Sequence, residues 1–180
     1  MERTKTREVA FCGLFTALVA VGAFLKIPTP LVPVTMQLFF TTLAGIFLGG
    51  KKGALSVVVY LALGLCGFPV FTEGGGPMYV LKPSFGYLVG FAMGAYVTGT
   101  MVEKGKKTMG ALLWASICGL VVVYVVGAAY YYWICVTVLQ MPLSVGPFLV
   151  SCFLVPLPGN LVLAVFGAWL GKRLLPLIPA

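Results

Sequence analysis

Charged residues cut the chain into apolar stretches. Residues 9–25, 27–50, 53–72, 83–102 and 108–171 carry no Asp, Glu, Lys or Arg, which gives lengths of 17, 24, 20, 20 and 64 residues. A helix crosses a bilayer with about 20 apolar residues, so each of the first four stretches predicts one span. The last has room for two, separated by the helix-breaking group Gln140, Pro142, Gly146 and Pro147. The pattern predicts an all-α membrane protein with six transmembrane helices, at 9–25, 34–50, 53–69, 84–102, 109–131 and 148–171, in a single integral membrane domain over residues 1–180.

Charge then orients the spans. With six crossings, the N-terminus, the second and fourth connections and the C-terminus share one side. Arg3, Lys5, Arg7, Lys51, Lys52, Lys104, Lys106, Lys107, Lys172 and Arg173 all fall there, 10 of the 12 basic residues, and only Lys26 and Lys82 lie outside. The positive-inside rule makes that side cytoplasmic, so both termini are expected in the cytoplasm. The net charge of +8 therefore reads as topology. Its clusters of two or three at helix ends lack the continuous stripe of a nucleic-acid groove. The N-terminal cations before an apolar run resemble a signal peptide, but Lys26 and Pro28 replace the small-residue cleavage region.

Composition narrows the chemistry. Only 9% of residues are charged and 61% are apolar, against about 25% charged in soluble domains. All four acids are Glu, and the chain has no Asp and no His. This removes most hydrolytic triads, His-ligated metals and paired-carboxylate mechanisms, so neither an enzyme nor a metal site is expected. Gly45 and Gly50-Lys51 approach a phosphate-binding loop, but Lys52 stands where Ser or Thr is needed, and the context is two membrane helices rather than a strand and a helix. The five cysteines lie singly within apolar stretches and read as small packing residues.

A few positions carry candidate recognition chemistry. Gly13 and Ala17, four apart, share a helical face that admits close approach of another helix, either within the chain or from a partner. Pro28, Pro30 and Pro33 make a stiff external connection. Gln37 lies near the external end of the second span, able to bond a neighbouring helix or a ligand. The segment 71–83 contains Glu73, three glycines and Lys82, suiting a lid or re-entrant loop; Lys82 is either solvated or set to meet a ligand carboxylate. Phe85, Gly86 and Tyr87 open the fourth span with rings, backbone donors and a hydroxyl just below the surface. Tyr130 to Trp133 read as an interfacial aromatic belt. Pro156 to Asn160 interrupt the last span, and Asn160, the one Asn in the chain, addresses either a neighbouring helix or a ligand.

Together, Pro28 through Gln37, Leu43-Ala44-Gly45, Leu48-Gly49, Lys52-Gly53-Ala54-Leu55, Tyr60 through Gly64 and Gly67-Phe68-Pro69-Val70-Phe71 resemble the signature of the BioY family. These are the biotin-binding substrate (S) components of energy-coupling factor (ECF) vitamin transporters. Pro83 through Phe91 is similar to the family's Gly-Gly-Tyr element, and Pro156-Leu157-Pro158-Gly159 to its Pro-Gly element. The resemblance implies a multi-pass protein of a bacterial cell membrane that captures biotin or a similar vitamin from outside. Its partners would be a transmembrane coupling subunit, docked at Gly13 and Ala17, and two ATPase subunits that alone use ATP. With such a ligand, the residues are expected to place Lys82 at the carboxylate, Asn160 and Tyr87 at the polar head and Phe85 with apolar helix faces around the ring and tail, and the resemblance implies no cofactor held by the chain.

At the two positions where the family has Asp and Lys anchors, this chain has Asn160 and Leu163. Charge-assisted bonds are worth about 1.5 to 3 kcal/mol each, so the exchange alters how the ligand is held. The alternatives are an S component for a different small carboxylate ligand, or a structural membrane protein without transport.

Overall fold

The computed structural model describes residues 2–27, 34–140 and 144–177. The proline-rich connection at Pro28, Pro30 and Pro33, and Pro142 of the predicted break, lie outside the described residues. Among the described residues, five helices are long and apolar enough to cross a membrane: Thr6–Phe24, Gln37–Leu65, Phe85–Lys104, Met109–Thr137 and Val150–Leu174. Apolar side chains such as Val9, Trp114 and Val162 are exposed on their outer faces, as expected where lipid replaces water.

Helix α1 is Glu2–Phe24. A two-residue ribbon follows, β1 (Lys26–Ile27) antiparallel to β2 (Val34–Thr35), with Lys26 opposite Thr35. Pairing keeps Val34 and Thr35 extended, so the next helix starts later than the predicted 34. That helix, α2 (Gln37–Leu65), is interrupted at Gly49, whose φ of 79° and ψ of 179° only glycine adopts without strain. A Cβ on Gly53 would lie 2.8 Å from the Ala44 carbonyl oxygen, although nine residues of straight helix span about 13.5 Å. Gln37 likewise bonds Tyr60 at 2.8 Å. The two arms of α2 thus lie side by side, turned on Gly49 with no intervening loop.

The second arm ends at Leu65, before the predicted 69, because Gly67 takes a φ of 104° and Pro69 follows. A 3-10 turn at Pro77–Leu81 leads into α3 (Phe85–Lys104) and then α4 (Met109–Thr137). Thr108 caps α4, its hydroxyl accepting from Ala111 N. No charge or proline stops α4 at the predicted 131, and it runs six residues further, to Thr137. The expected aromatic belt divides as a result: Tyr132 and Trp133 are exposed, whereas Tyr131 is buried and Tyr130 donates to the Val80 carbonyl at 2.6 Å.

The last predicted span is split differently from the expectation. Short helix α5 (Val145–Leu149) passes into a π-helical turn, Val150–Leu154, and α6 (Leu157–Leu174) begins just after Pro156. The break therefore falls at Val155 and Pro156. Pro158, Gly159 and Asn160 belong to the first turn of α6, where a proline's missing N–H costs nothing. Small residues set the helix separations: a Cβ on Gly90 would lie 2.9 Å from the Val123 carbonyl oxygen, bringing α3 and α4 nearly into backbone contact. The five cysteines are free; Cys135 and Cys152 pack in the core, while Cys66 is exposed at the end of α2.

The two ends of the bundle differ in charge. At one, where Lys51, Lys104, Lys106, Lys172 and Arg173 also fall, Arg7, Lys52 and Lys107 together with Glu8 and Glu103 line a cavity of about 390 Å³ beside the Gly49 turn, and Lys52 pairs with Glu8 at 2.6 Å. At the other, Lys26 donates to the Thr72 carbonyl at 3.1 Å and Lys82 pairs with Glu73 at 2.7 Å.

Candidate functional site

Beneath the 3-10 turn, the N-terminal ends of α2, α3 and α6 converge on a cavity of about 70 Å³ that α4 closes. Its apolar wall is Leu38, Leu88, Phe91, Val123 and Pro156. Polar groups come from Thr35, Gln37, Thr72, Glu73, Ser84, Tyr87 and Asn160, with the phenols of Tyr79 and Tyr124. Polar and apolar groups thus share the lining, a mixture that can orient a small ligand through donors and acceptors while covering its apolar part.

Gln37, Tyr87 and Asn160 are each held by a neighbour. Gln37, 1% exposed, donates from Nε2 to the Tyr60 hydroxyl at 2.8 Å and accepts from Thr35 Oγ1 at 3.3 Å. Tyr60 in turn donates to the Val70 carbonyl at 3.1 Å, which ties the second arm of α2 to the segment before Phe71. Tyr87 donates to the Cys152 carbonyl at 3.3 Å, within the π-helical turn. Its ring packs on Gly127, where any side chain would drive it from its place. Asn160 donates from Nδ2 to the Tyr124 hydroxyl at 2.9 Å. No buried side-chain nitrogen or oxygen among the described residues lacks a partner, so the site is ordered before any ligand arrives.

Three of the expected ligand residues, Gln37, Tyr87 and Asn160, line this cavity. The other three sit around it. Phe85 is buried between the rings of Tyr79 and Tyr130, at centroid distances of 6.5 and 6.0 Å. Gly86 packs against the Cβ of Tyr130, so it serves close packing of α3 on α4. Lys82 lies 2.7 Å from Glu73 Oε2 and 4.7 Å from the centre of the Tyr79 ring, outside the lining, while Glu73 itself lines the cavity. Burial, and next the Glu73 carboxylate, push the Tyr79 phenol above its ordinary range. Segment 71–83 is a packed cover, with Phe71 fully buried against Tyr60 and Tyr79.

Sequence reasoning passed over Thr35, Thr72, Glu73 as a lining group, Ser84 and Tyr124. Tyr124 had a signal: it is a phenol at the centre of the apolar run Val121 to Val126, where its hydroxyl needs an internal partner. Leu163 is partly buried against the cluster of Phe15, Phe39 and Leu43 rather than in the cavity.

Gly13 and Ala17 lie elsewhere, in an apolar groove of about 730 Å³ between α1 and the second arm of α2, with Leu55, Val59 and Leu63. A Cβ on Gly13 would meet nothing within 4 Å. The contact of α1 with α2 uses Gly22 instead, whose Cβ would lie 3.0 Å from Gln37 N.

Comparison with known proteins bears on the whole chain. The family model described as "BioY family" matches residues 1–180. A protein of Lysinibacillus sphaericus named "Probable biotin transporter BioY" is 42% identical over 175 residues, covering 97% of this chain and 89% of the relative. A "Biotin transporter BioY" of Thermotoga maritima is 42% identical over 122 residues, 67% of this chain and 72% of the relative. The structure superposes with a TM-score of 0.84 on the crystal structure of "the S-component for biotin from an ECF-type ABC transporter", at 27% identity and covering 97% of this chain and 93% of that one. With a family model spanning every residue and the helical framework shared with a solved S component, this chain belongs to the BioY family.

Proposed function

We propose that this protein is the S component of an ECF-type transporter, capturing biotin from outside a bacterial cell for import driven by ATPases on partner subunits. The observation that carries this reading is the cavity in which Gln37, Tyr87 and Asn160 present amides and a hydroxyl beside Leu38, Leu88 and Phe91. The biotin transporters and the S component for biotin that the chain resembles support the same ligand. In this reading Asn160, Tyr87 and Gln37 meet the polar head, Leu88 and Phe91 cover the ring and tail, and Lys82 meets the carboxylate at the cavity mouth. Phe85 and Gly86 hold the cover and α3 in place.

The chain is a single membrane domain of six spans, the two arms of α2 counting separately because they fold back at Gly49. Both termini face the cytoplasm. The basic end, where Arg7, Lys52 and Lys107 gather, supports this orientation, and the cavity then lies at the outer face. The groove at Gly13 and Ala17 receives the coupling subunit, an assignment supported by the free space beside Gly13.

Native mass spectrometry of the gently purified protein tests the ligand: retained biotin is expected, and retention of a different acid would replace it. A second reading, an S component for another small carboxylate, has one observation in its favour. Leu163 supplies no polar group and packs away from the cavity. Competition among biotin, dethiobiotin and lipoate in a thermal-shift assay separates the two.

A further inference from the structure

The hydrogen bonds around Gln37 run in one fixed direction. Val70 contributes a backbone carbonyl, which only accepts, 3.1 Å from the Tyr60 hydroxyl. Tyr60 has a single proton and gives it to Val70, so its oxygen has to accept from the Gln37 side chain 2.8 Å away. The group of Gln37 that faces Tyr60 is therefore its NH₂. The amide oxygen is left toward Thr35, whose hydroxyl donates to it at 3.3 Å. Thr35, Gln37 and Tyr60 are 7%, 1% and 0% exposed, so bulk water does not compete for any link. Thr35 and Gln37 line the cavity, whereas Tyr60 does not and instead borders the groove at Gly13 and Ala17.

We infer that Tyr60 is a positioning residue for ligand recognition: its bond to Val70 sets the Gln37 amide so that the cavity wall offers oxygen acceptors, Gln37 Oε1 beside Thr35 Oγ1, to N–H donors of the ligand. Both oxygens retain lone-pair capacity after their internal bonds. A ketone, ether or carboxylate oxygen placed there would face oxygen. A cyclic urea or amide edge fits, and biotin carries a cyclic urea, so the inference rests on the ligand reading above. Without the Tyr60 hydroxyl only the Thr35 bond holds the amide, and a threonine hydroxyl accepts as readily as it donates, so the amide can turn over and present its NH₂ instead. A neutral hydrogen bond is worth about threefold to tenfold in affinity.

Tyr60→Phe keeps the ring that packs edge-on to Phe71 and removes only the hydroxyl. Calorimetry with biotin and with biotin methylated on its ureido nitrogens reads the polarity directly. Tyr60→Phe is expected to weaken biotin about threefold to tenfold, to weaken the methylated analogue less, and to have little further effect in a Gln37→Ala background. Equal losses for both ligands, or in both backgrounds, would overturn the inference while leaving biotin as the ligand. If Tyr60→Phe does not yield folded protein, Thr35→Val, which removes one of the two acceptors and its bond to Gln37, is expected to weaken biotin and to weaken the methylated analogue less, and equal losses for both ligands overturn the inference equally. Absence of biotin binding by the unaltered protein overturns the ligand reading and this inference together.

Discussion

Asn160 donates from Nδ2 to the Tyr124 hydroxyl at 2.9 Å, which joins the first turn of α6 to the middle of α4 in the wall of the cavity. Pro156 precedes the first residue of α6, which puts Asn160 in that first turn. Asn160→Leu removes the amide and leaves the Tyr124 phenol unpartnered beside the ligand. An unsatisfied buried group costs about 1 to 3 kcal/mol, so biotin affinity should fall about tenfold or more. Isothermal calorimetry on the variant checks this; unchanged affinity would remove Asn160 from the site.

Lys82 and Glu73 pair at the rim with side chains 40% and 56% exposed. Exposed pairs contribute about 0 to 1 kcal/mol, so Lys82→Ala should scarcely move the melting temperature. Its effect should fall on charge: biotin is expected to bind about threefold to tenfold more weakly, and biotin amide much less so. Equal losses for acid and amide would refute a contact with the carboxylate.

The turn at Gly49 makes a strong claim on Gly53. Its Cβ would press on the Ala44 carbonyl oxygen at 2.8 Å, so Gly53→Val should force the two arms of α2 apart. A large loss of folded yield, read by size-exclusion chromatography in detergent, is expected. Normal yield and melting would show that the arms are not packed as described.

Gly13→Leu provides the opposite case. With nothing within 4 Å of its Cβ, the larger side chain should leave melting and biotin binding unchanged. Co-purification with the coupling subunit should be lost, because the groove beside Ala17 is filled. Intact co-purification would move the docking surface elsewhere.

Much of the framework was legible because charge marks where apolar runs must end. Lys26, Lys82 and Lys104 stand within a few residues of the ends of α1 and α3. The turn between the arms of α2 was less legible: Gly49-Gly50 reads as a helix stop followed by a loop, whereas one residue with positive φ turns the chain alone. The end of α4 had no marker, since nothing between Tyr131 and Thr137 opposes a helix in an apolar setting. Pro158 looked like part of a break and is tolerated in a first turn. In the site, Asn160 and Gln37 stood out as scarce amides in apolar runs. Thr35, Ser84 and Thr72 did not, because hydroxyls of this kind also bond their own helix, and only the tertiary fold brings them to one cavity. Glu73 and Lys82 are nine residues apart, and their pairing needs the 3-10 turn between them.

Equilibrium titration of the purified protein with biotin tests the assignment most directly. Saturable binding of one biotin per chain is expected, weakened in Asn160→Leu and retained in Gly13→Leu. A folded protein that takes up no biotin, with α-helical content and melting intact, would contradict it.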